Sequence, residues 1–413
     1  MNAAQSNAIA PGPLSGVKVT DFTWIGAGSF TTKLLADMGA DVVKLETATR
    51  PDTLRMMPPF KDKITGVNRS GYFADRNTSK RSIALNMKKP EARQLARLMI
   101  EQSHIVINNF TPDVMTKFGL GWDQVRDFKP DIVYVAMSLL GATGPERDYL
   151  GYGHMINAMS GLLRLSGHPD RDPTGTGTNY PDHIPNPTHA VFALLAALRH
   201  LRRTGEGQFV DVAQLEPAVS LLGPTVLEWT VNGRNRTRMG NRHDELAPHG
   251  VYPTAGDDRW IAIAVSRDEQ WVALAQLLER TAWLDEPRWA TRVGRLHDAQ
   301  ALDAALSDAT RGRDGQELMT ALQARGVPAG VVLDCSEVIT DPQLVHRRQW
   351  VRLDHPEMGN SLYSAPPMHL SVTPAWPRRP APLLGQHTRE VCHEWLKLDD
   401  QRIDELIAQE VLK

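Results

Sequence analysis

One carboxylate in this chain sits where it could act as a nucleophile. The run Asn179-Tyr180-Pro181-Asp182-His183-Ile184-Pro185-Asn186-Pro187 frames Asp182 with prolines, directly ahead of an apolar stretch that ends in Arg202-Arg203-Thr204-Gly205-Glu206-Gly207-Gln208. The spacing predicts a helix with Asn186 as its N-cap and Pro187 at its first position. Asp182 then lies four residues upstream, where capping does not need it. A carboxylate spared from capping and held in a stiff turn is available for attack on an electrophilic carbon. The competing reading is a turn aspartate of structural use only.

A second pattern, Gly26-Ala27-Gly28-Ser29-Phe30-Thr31, nearly fits the dinucleotide fingerprint, and Glu46 stands where such an enzyme keeps its ribose-binding acid. Thr31, however, occupies the place where glycine or alanine normally allows close helix–strand packing. A plain strand-to-helix turn is therefore expected over an NAD site, although any such turn can face a phosphate. The fourteen histidines form no H-x-x-x-H or comparable group, so no metal is expected. Cys335 and Cys392 give neither a disulfide framework nor a zinc pattern. Arg234, Arg236, Arg238 and Arg242 either hold a substrate carboxylate or form a solvated face; the solvated face is the expectation.

The elements that must position Asp182 follow from apolar periodicity. Val17 to Phe22 reads as a strand, with a helix through Met38 and a second strand from Asp41 to Glu46. A helix from Pro90 to Gln102 precedes the strand His104 to Asn108, and Ile132 to Met137 and Gln208 to Val212 add two more. Alternating strands and helices predict a doubly wound parallel sheet. Near Leu222 the character changes: strands at Gly250 to Pro253 and Trp260 to Val265, with helices at Arg267 to Glu279, Ala299 to Ala309 and Gly315 to Arg325, predict a smaller α+β domain. From Asp341 onward the chain reads as proline-rich loops and two short terminal helices. The expected division is 1–222, 223–340 and 341–413.

At 413 residues two domains are the default, and a net charge of −2 with mixed signs excludes a general nucleic-acid binder. No apolar run is long enough to cross a bilayer, and Met1 to Ala10 lacks the regions of a signal peptide. The sequons at Asn68 and Asn77 are accordingly read as chance, the first dozen residues as a flexible leader, and the protein as cytoplasmic.

Seven segments, in order, resemble the class III CoA-transferases, the group of formyl-CoA and carnitine CoA-transferases. They are Leu14 to Phe22, Leu35 to Glu46, Asn77 to Leu85, Asn109 to Pro112, Gly141 to Pro145, Thr204 to Gln208 and Leu384 to Thr388. The resemblance implies a large domain built from both chain ends, a small domain between them, and an interlocked homodimer. It implies no tightly bound cofactor, with an acyl-CoA and a small carboxylic acid as substrates. Asp182 matches the family aspartate that attacks the thioester and carries the acyl group as a mixed anhydride. Residues matching the family's CoA contacts are Gly26, Ala27, Leu85, Asn86, Met87, Lys88, Asn109, Phe110, Thr111, Lys117, Ser138, Leu139, Leu140 and Gly141.

Departures from the family pattern are informative. Thr47 stands where formyl-CoA transferases carry arginine, leaving Arg50 or Arg55 to supply the charge. Thr254 to Arg259 lacks the multi-glycine loop, which argues against oxalate as substrate. The runner-up activity is the α-methylacyl-CoA racemases of the same fold, which use a His/Asp pair; their histidine falls at about Tyr152, and His154 is read as ordinary lining or surface. A non-catalytic CoA-binding scaffold would not need Asp182.

Overall fold

The computed structural model of the protein describes residues 11–413. The Met1 to Ala10 segment, with the readings of a missing signal peptide and a flexible leader, lies outside the described residues. Six strands form one all-parallel sheet in the order β3-β2-β1-β4-β5-β6: β1 (Lys18–Asp21), β2 (Asp41–Glu46), β3 (Arg81–Ala84), β4 (Ile105–Asn108), β5 (Val133–Ala136) and β6 (Gln208–Asp211). The strands β2, β4 and β5 are short runs rich in valine and isoleucine because both faces are covered, and such strands show continuous rather than alternating apolarity. One face buries Val42, Ile105, Ile107, Val133 and Val135 against Leu34 and Leu35 of the helix Ile25–Asp37 and Leu194 and Leu198 of the helix Pro185–Thr204. The other buries Val43, Leu45, Ile83, Val106 and Tyr134 against Leu95 and Met99 of the helix Pro90–Glu101.

The chain's end completes that second face. Val391, Trp395, Ile403 and Leu406 pack into it, Thr388 Oγ1 accepts from the Ala84 N–H at 3.0 Å, and Val411 O accepts from the Asn86 N–H at 2.9 Å. Of the described residues, 11–163, 175–234 and 342–413 thus form one compact unit, and 164–174 with 235–341 form another. The boundary drawn from sequence at 222 moves, because the helix Gly223–Asn232 goes with the larger unit and 164–174 with the smaller. The smaller unit has an antiparallel sheet of β7 (His249–Pro253), β8 (Trp260–Ala264) and β9 (Ala329–Val331). Its core is Tyr252, Ile261, Ile263, Trp271, Leu274, Leu302, Leu306, Leu318 and Leu322.

Two sequence expectations are corrected. The stretch after Asp341 is not loop until its terminal helices: β10 (Trp350–His355) and β11 (Gly359–Ser364) form an antiparallel hairpin there. The helix after Asp182 begins at Pro185, not Pro187. Asn186 therefore lies inside its first turn, fully buried, with Nδ2 donating to Gln214 Oε1 at 3.4 Å instead of capping.

A buried ionic layer lies beneath the edge of the sheet. Arg55 donates from Nε to Glu46 Oε1 at 2.8 Å and from Nη2 to Oε2 at 2.7 Å, stacks over Phe73 and is fully buried. Burial works against charge on Glu46, but Arg55 and Ser82 hold its carboxyl below the usual range. We expect Arg55→Met to leave Glu46 buried and unpaired, lowering unfolding free energy in urea by about 3–5 kcal/mol.

Candidate active site

In an open α/β sheet, ligands gather at the carboxyl ends of strands where the strand order reverses. Here that point lies between β1 and β4. The segment after β1, Thr23-Trp24-Ile25, and the segment after β4, Asn109-Phe110-Thr111, face each other across it. Asn109 ties them together: its Oδ1 accepts from the Trp24 N–H at 2.8 Å and its Nδ2 donates to Trp24 O at 2.7 Å. The next residue, Ile25, has φ of 59°, which costs a β-branched residue on the order of 1–3 kcal/mol. Its N–H is held by Asp52 Oδ1 at 3.1 Å, and Asp52 is itself paired with Lys44 at 3.0 Å.

That turn presents the backbone of Gly26 to Asp182. Asp182 lies in a single helical turn, Tyr180–His183, with its N–H donating to Asn179 O at 2.9 Å. The carboxylate is 3% exposed and is approached from two sides by glycine backbone. A methyl group built on Gly26 would fall 2.9 Å from Asp182 Cβ; one on Gly153 would fall 2.7 Å from Oδ2 and 2.7 Å from Asn179 Cβ. All three distances are below any ordinary van der Waals contact, so only glycine fits at either place. Gly153 also donates its backbone N–H to the carboxylate. Burial nonetheless dominates, and the Asp182 carboxyl is pushed up to about 6.

Asp182, Gly26, Ala27, Asn109, Thr111, Leu139, Tyr152 and Gln214 line a small cavity of about 100 Å³. A larger one of about 330 Å³ is walled by Phe22, Trp24, Leu45, Leu85, Met87, Phe110 and Phe118, with Glu46, Thr47, Thr49, Arg50, Asn86, Lys88 and Thr111 as its polar members. Thr111 lines both, so the two cavities meet at one side chain. A third, of about 410 Å³, includes Thr111, Phe110 and Ser138.

Most of the sequence-derived contacts thus gather around these cavities, but three do not line them. Leu140 packs beside Leu139, Ile156 and Ala218, Gly141 turns the chain at φ 93°, and Lys117 is exposed on the short helix Val114–Lys117. Arg55 cannot supply the missing family charge, being committed to Glu46. Arg50 lies over the Trp24 ring at 5.3 Å on the larger cavity and makes no ion pair among the described residues. Because Arg55 and Ser82 occupy both oxygens of Glu46, that residue is not free to hold a ribose, which removes the dinucleotide reading. The arginines near Arg238 are spent on Glu228, Asp244, Asp303 and the carbonyls of Arg164 and His168.

Sequence reasoning missed Gly153, Gln214, Ile25 and Tyr72. Gln214 donates to Met137 O at 2.7 Å and lines the Asp182 cavity. Tyr72 OH meets His183 Nε2 at 3.3 Å. Burial and the nearby Arg76 push the His183 imidazole down to about 4, so it is neutral. None of the four carries a local sequence pattern that marks it as a site residue. His154 is exposed on the helix Gly153–Met159.

The architecture is that of a doubly wound α/β enzyme with a second, smaller antiparallel unit. The family model for CoA-transferase family III matches residues 14–388. A succinate–glutarate CoA-transferase of Agrobacterium fabrum is 34% identical over 385 residues, covering 92% of this chain and 95% of that protein. A succinyl-CoA–D-citramalate CoA-transferase of Chloroflexus aurantiacus is 31% identical over 402 residues, covering 97% and 98%. The crystal structure of a CAIB/BAIF family protein from Brucella suis superposes with a TM-score of 0.86 at 30% identity, covering 93% of this chain and all of that one. The chain belongs to CoA-transferase family III and is a CoA-transferase. Among the described residues no helix is long and apolar enough to cross a membrane.

Burial of Asp182 has a thermodynamic signature. Its folded-state carboxyl titrates near 6, above the ordinary value of about 3.9 in an unfolded chain. The folded protein therefore holds this proton more tightly, and stability is lost as pH rises through 6. Asp182→Asn removes the ionisable group, so we expect it to be more stable than the parent by roughly 2–3 kcal/mol at most above pH 6, with the gain fading towards pH 4. Urea denaturation at the two pH values measures the difference.

Proposed function

We propose that the enzyme moves CoA from an acyl-CoA thioester to a free carboxylic acid through a covalent intermediate on Asp182. The observation that carries this reading is a desolvated carboxylate on a cavity that meets a larger, aromatic-walled one. The larger cavity has the apolar walls and cationic rim that an adenine ring and its phosphates require. Asp182 then receives the thioester: its ionised oxygen adds to the acyl carbon, the CoA thiolate leaves, and a mixed anhydride remains. The thiolate next takes the aspartyl carbon, releasing the donor acid, and the acceptor acid reverses the sequence. Carboxylate is a weak nucleophile in water. Holding it against the bound thioester supplies an effective molarity of roughly 10^5–10^8 M at best, and desolvation removes the water that would blunt it.

Succinyl-CoA as donor and a small dicarboxylic acid such as glutarate as acceptor are the substrates proposed, on the strength of the two relatives named above. The homodimer is proposed as well. It rests on the family resemblance alone. Proton exchange at an α-carbon is disfavoured, because no histidine lines the Asp182 cavity and position 152 is tyrosine.

Asp182→Asn should abolish transfer while acyl-CoA affinity stays within a few-fold, and hydroxylamine should trap an acylated parent enzyme but not the variant. Because the attacking form is ionised, kcat/KM should rise with pH and level off above about 6, falling about tenfold per unit below it. Retained turnover in Asp182→Asn would remove the assignment. Arg50→Ala should raise KM for acyl-CoA roughly tenfold, about 1.4 kcal/mol, with kcat unchanged in steady-state assays.

A further inference from the structure

The two oxygens of Asp182 live in different surroundings. Oδ2 is wedged between two backbones: a methyl on Gly153 would lie 2.7 Å from it and one on Gly26 3.1 Å, and Oδ1 is the farther oxygen in both directions. Gly153 opens its helix, so no carbonyl of that helix competes for its N–H, and that N–H donates to the carboxylate. Gly26 is fixed from behind by Ile25, whose N–H is held by Asp52. Gly26 therefore cannot move towards or away from Oδ2 without disturbing buried structure.

Resting on the covalent reading above, we infer that the two oxygens have separate and permanent tasks. Oδ1 attacks and is exchanged in every cycle; Oδ2 stays seated between Gly26 and Gly153 and receives the negative charge, opposite the Gly153 N–H, whenever Cγ is attacked.

The bonds follow from this. Oδ1 bonds to the acyl carbon of the donor, the carbon–sulfur bond breaks, and CoA leaves as thiolate. The thiolate attacks Cγ, the Cγ–Oδ1 bond breaks, and the donor acid departs as a carboxylate that carries Oδ1 away. One oxygen of the acceptor carboxylate then adds to Cγ and expels the thiolate. The thiolate finally attacks the acceptor's acyl carbon, and the bond from that carbon to the bridging oxygen breaks. The bridging oxygen stays on Cγ, in the place Oδ1 had held. In both attacks on Cγ the carbonyl oxygen is Oδ2, and a fixed N–H aimed at it stabilises the developing oxyanion without reorganisation. The proposed oxyanion donor is thus a backbone group, and its residue must be glycine because a methyl there would fall 2.7 Å from Oδ2.

The test uses the unaltered enzyme. It is cycled many times in ordinary water with succinyl-CoA and glutarate labelled with heavy oxygen in all its carboxylate oxygens, then digested, and the peptide containing Asp182 is weighed. One heavy oxygen in Asp182, and no second one however many cycles are run, is the expected result. Two heavy oxygens would mean that the carboxylate turns over between cycles, which overturns the proposal but leaves the covalent route intact. No label while glutaryl-CoA accumulates would instead overturn the covalent reading itself.

Discussion

Everything at this site depends on taking a carboxylate out of water without giving it a cation. Among the described residues Asp182 has no salt bridge; its compensation is one backbone N–H, and its neighbours are glycine backbone and uncharged side chains. A bound cation would be the cheaper solution for stability, but it would lower the energy of the anion and weaken it as a nucleophile. The protein accepts the desolvation cost at this one position. Elsewhere in the same unit, buried carboxylates are treated in the opposite way. Glu46 has Arg55, Asp52 has Lys44, and Asp21 has Lys80 at 3.3 Å with Thr23 and Thr32 as further donors. Burial works against charge on Asp21 too, yet Lys80, Lys44 and the two threonines hold its carboxyl below the usual range.

Those paired groups explain how the unpaired one stays in place. Lys44, Asp52, Asp21 and Lys80 lie directly under the start of the helix Ile25–Asp37. Lys44 reaches the Thr23 carbonyl, Asp52 takes the Ile25 N–H, and Lys80 takes Ser29 O at 3.0 Å. Buried ion pairs are poor sources of net stability, yet removing one partner is costly, so they act as rigid pegs. Here the pegs force Ile25 into a left-handed conformation that a β-branched residue avoids, and that conformation brings the Gly26 backbone against Asp182. Strain at a functional turn is sustained when the surroundings over-determine it.

How much of this could be read from sequence depended on whether the signal was local. The six parallel strands were largely visible, although β3 was not named as a strand, because fully buried strands are continuous apolar runs. The turn at Gly26 was visible because it breaks such a run. The helix start was misplaced by two residues because Pro185 and Pro187 are both good first-turn residues, and the choice between them was made by Asn186 turning inward to Gln214. The hairpin of β10 and β11 was missed because its strands, Trp350–His355 and Gly359–Ser364, carry charged and small polar residues in place of a clear alternation. Gly153 was invisible as a site residue for a deeper reason. Its importance lies in what its missing side chain allows a distant residue to do, and nothing in the local pattern carries that.

The proposed CoA pocket and the proposed nucleophile sit on separate elements. The larger cavity is built by segments after β1, β2, β3 and β4, all fixed by strand pairing, whereas Asp182 comes from the turn before the helix Pro185–Thr204, which packs on the opposite face. Thr111 is the one side chain at which the two meet. In the proposed reaction a thioester anchored by its nucleotide end passes that point to reach Asp182, so the distance between anchor and nucleophile is set by the sheet and not by flexible loops. On that proposal, binding energy gathered far from the sulfur is used to press the acyl carbon against the carboxylate. This geometry, more than any intrinsic reactivity of the carboxylate, would then make the proposed attack feasible.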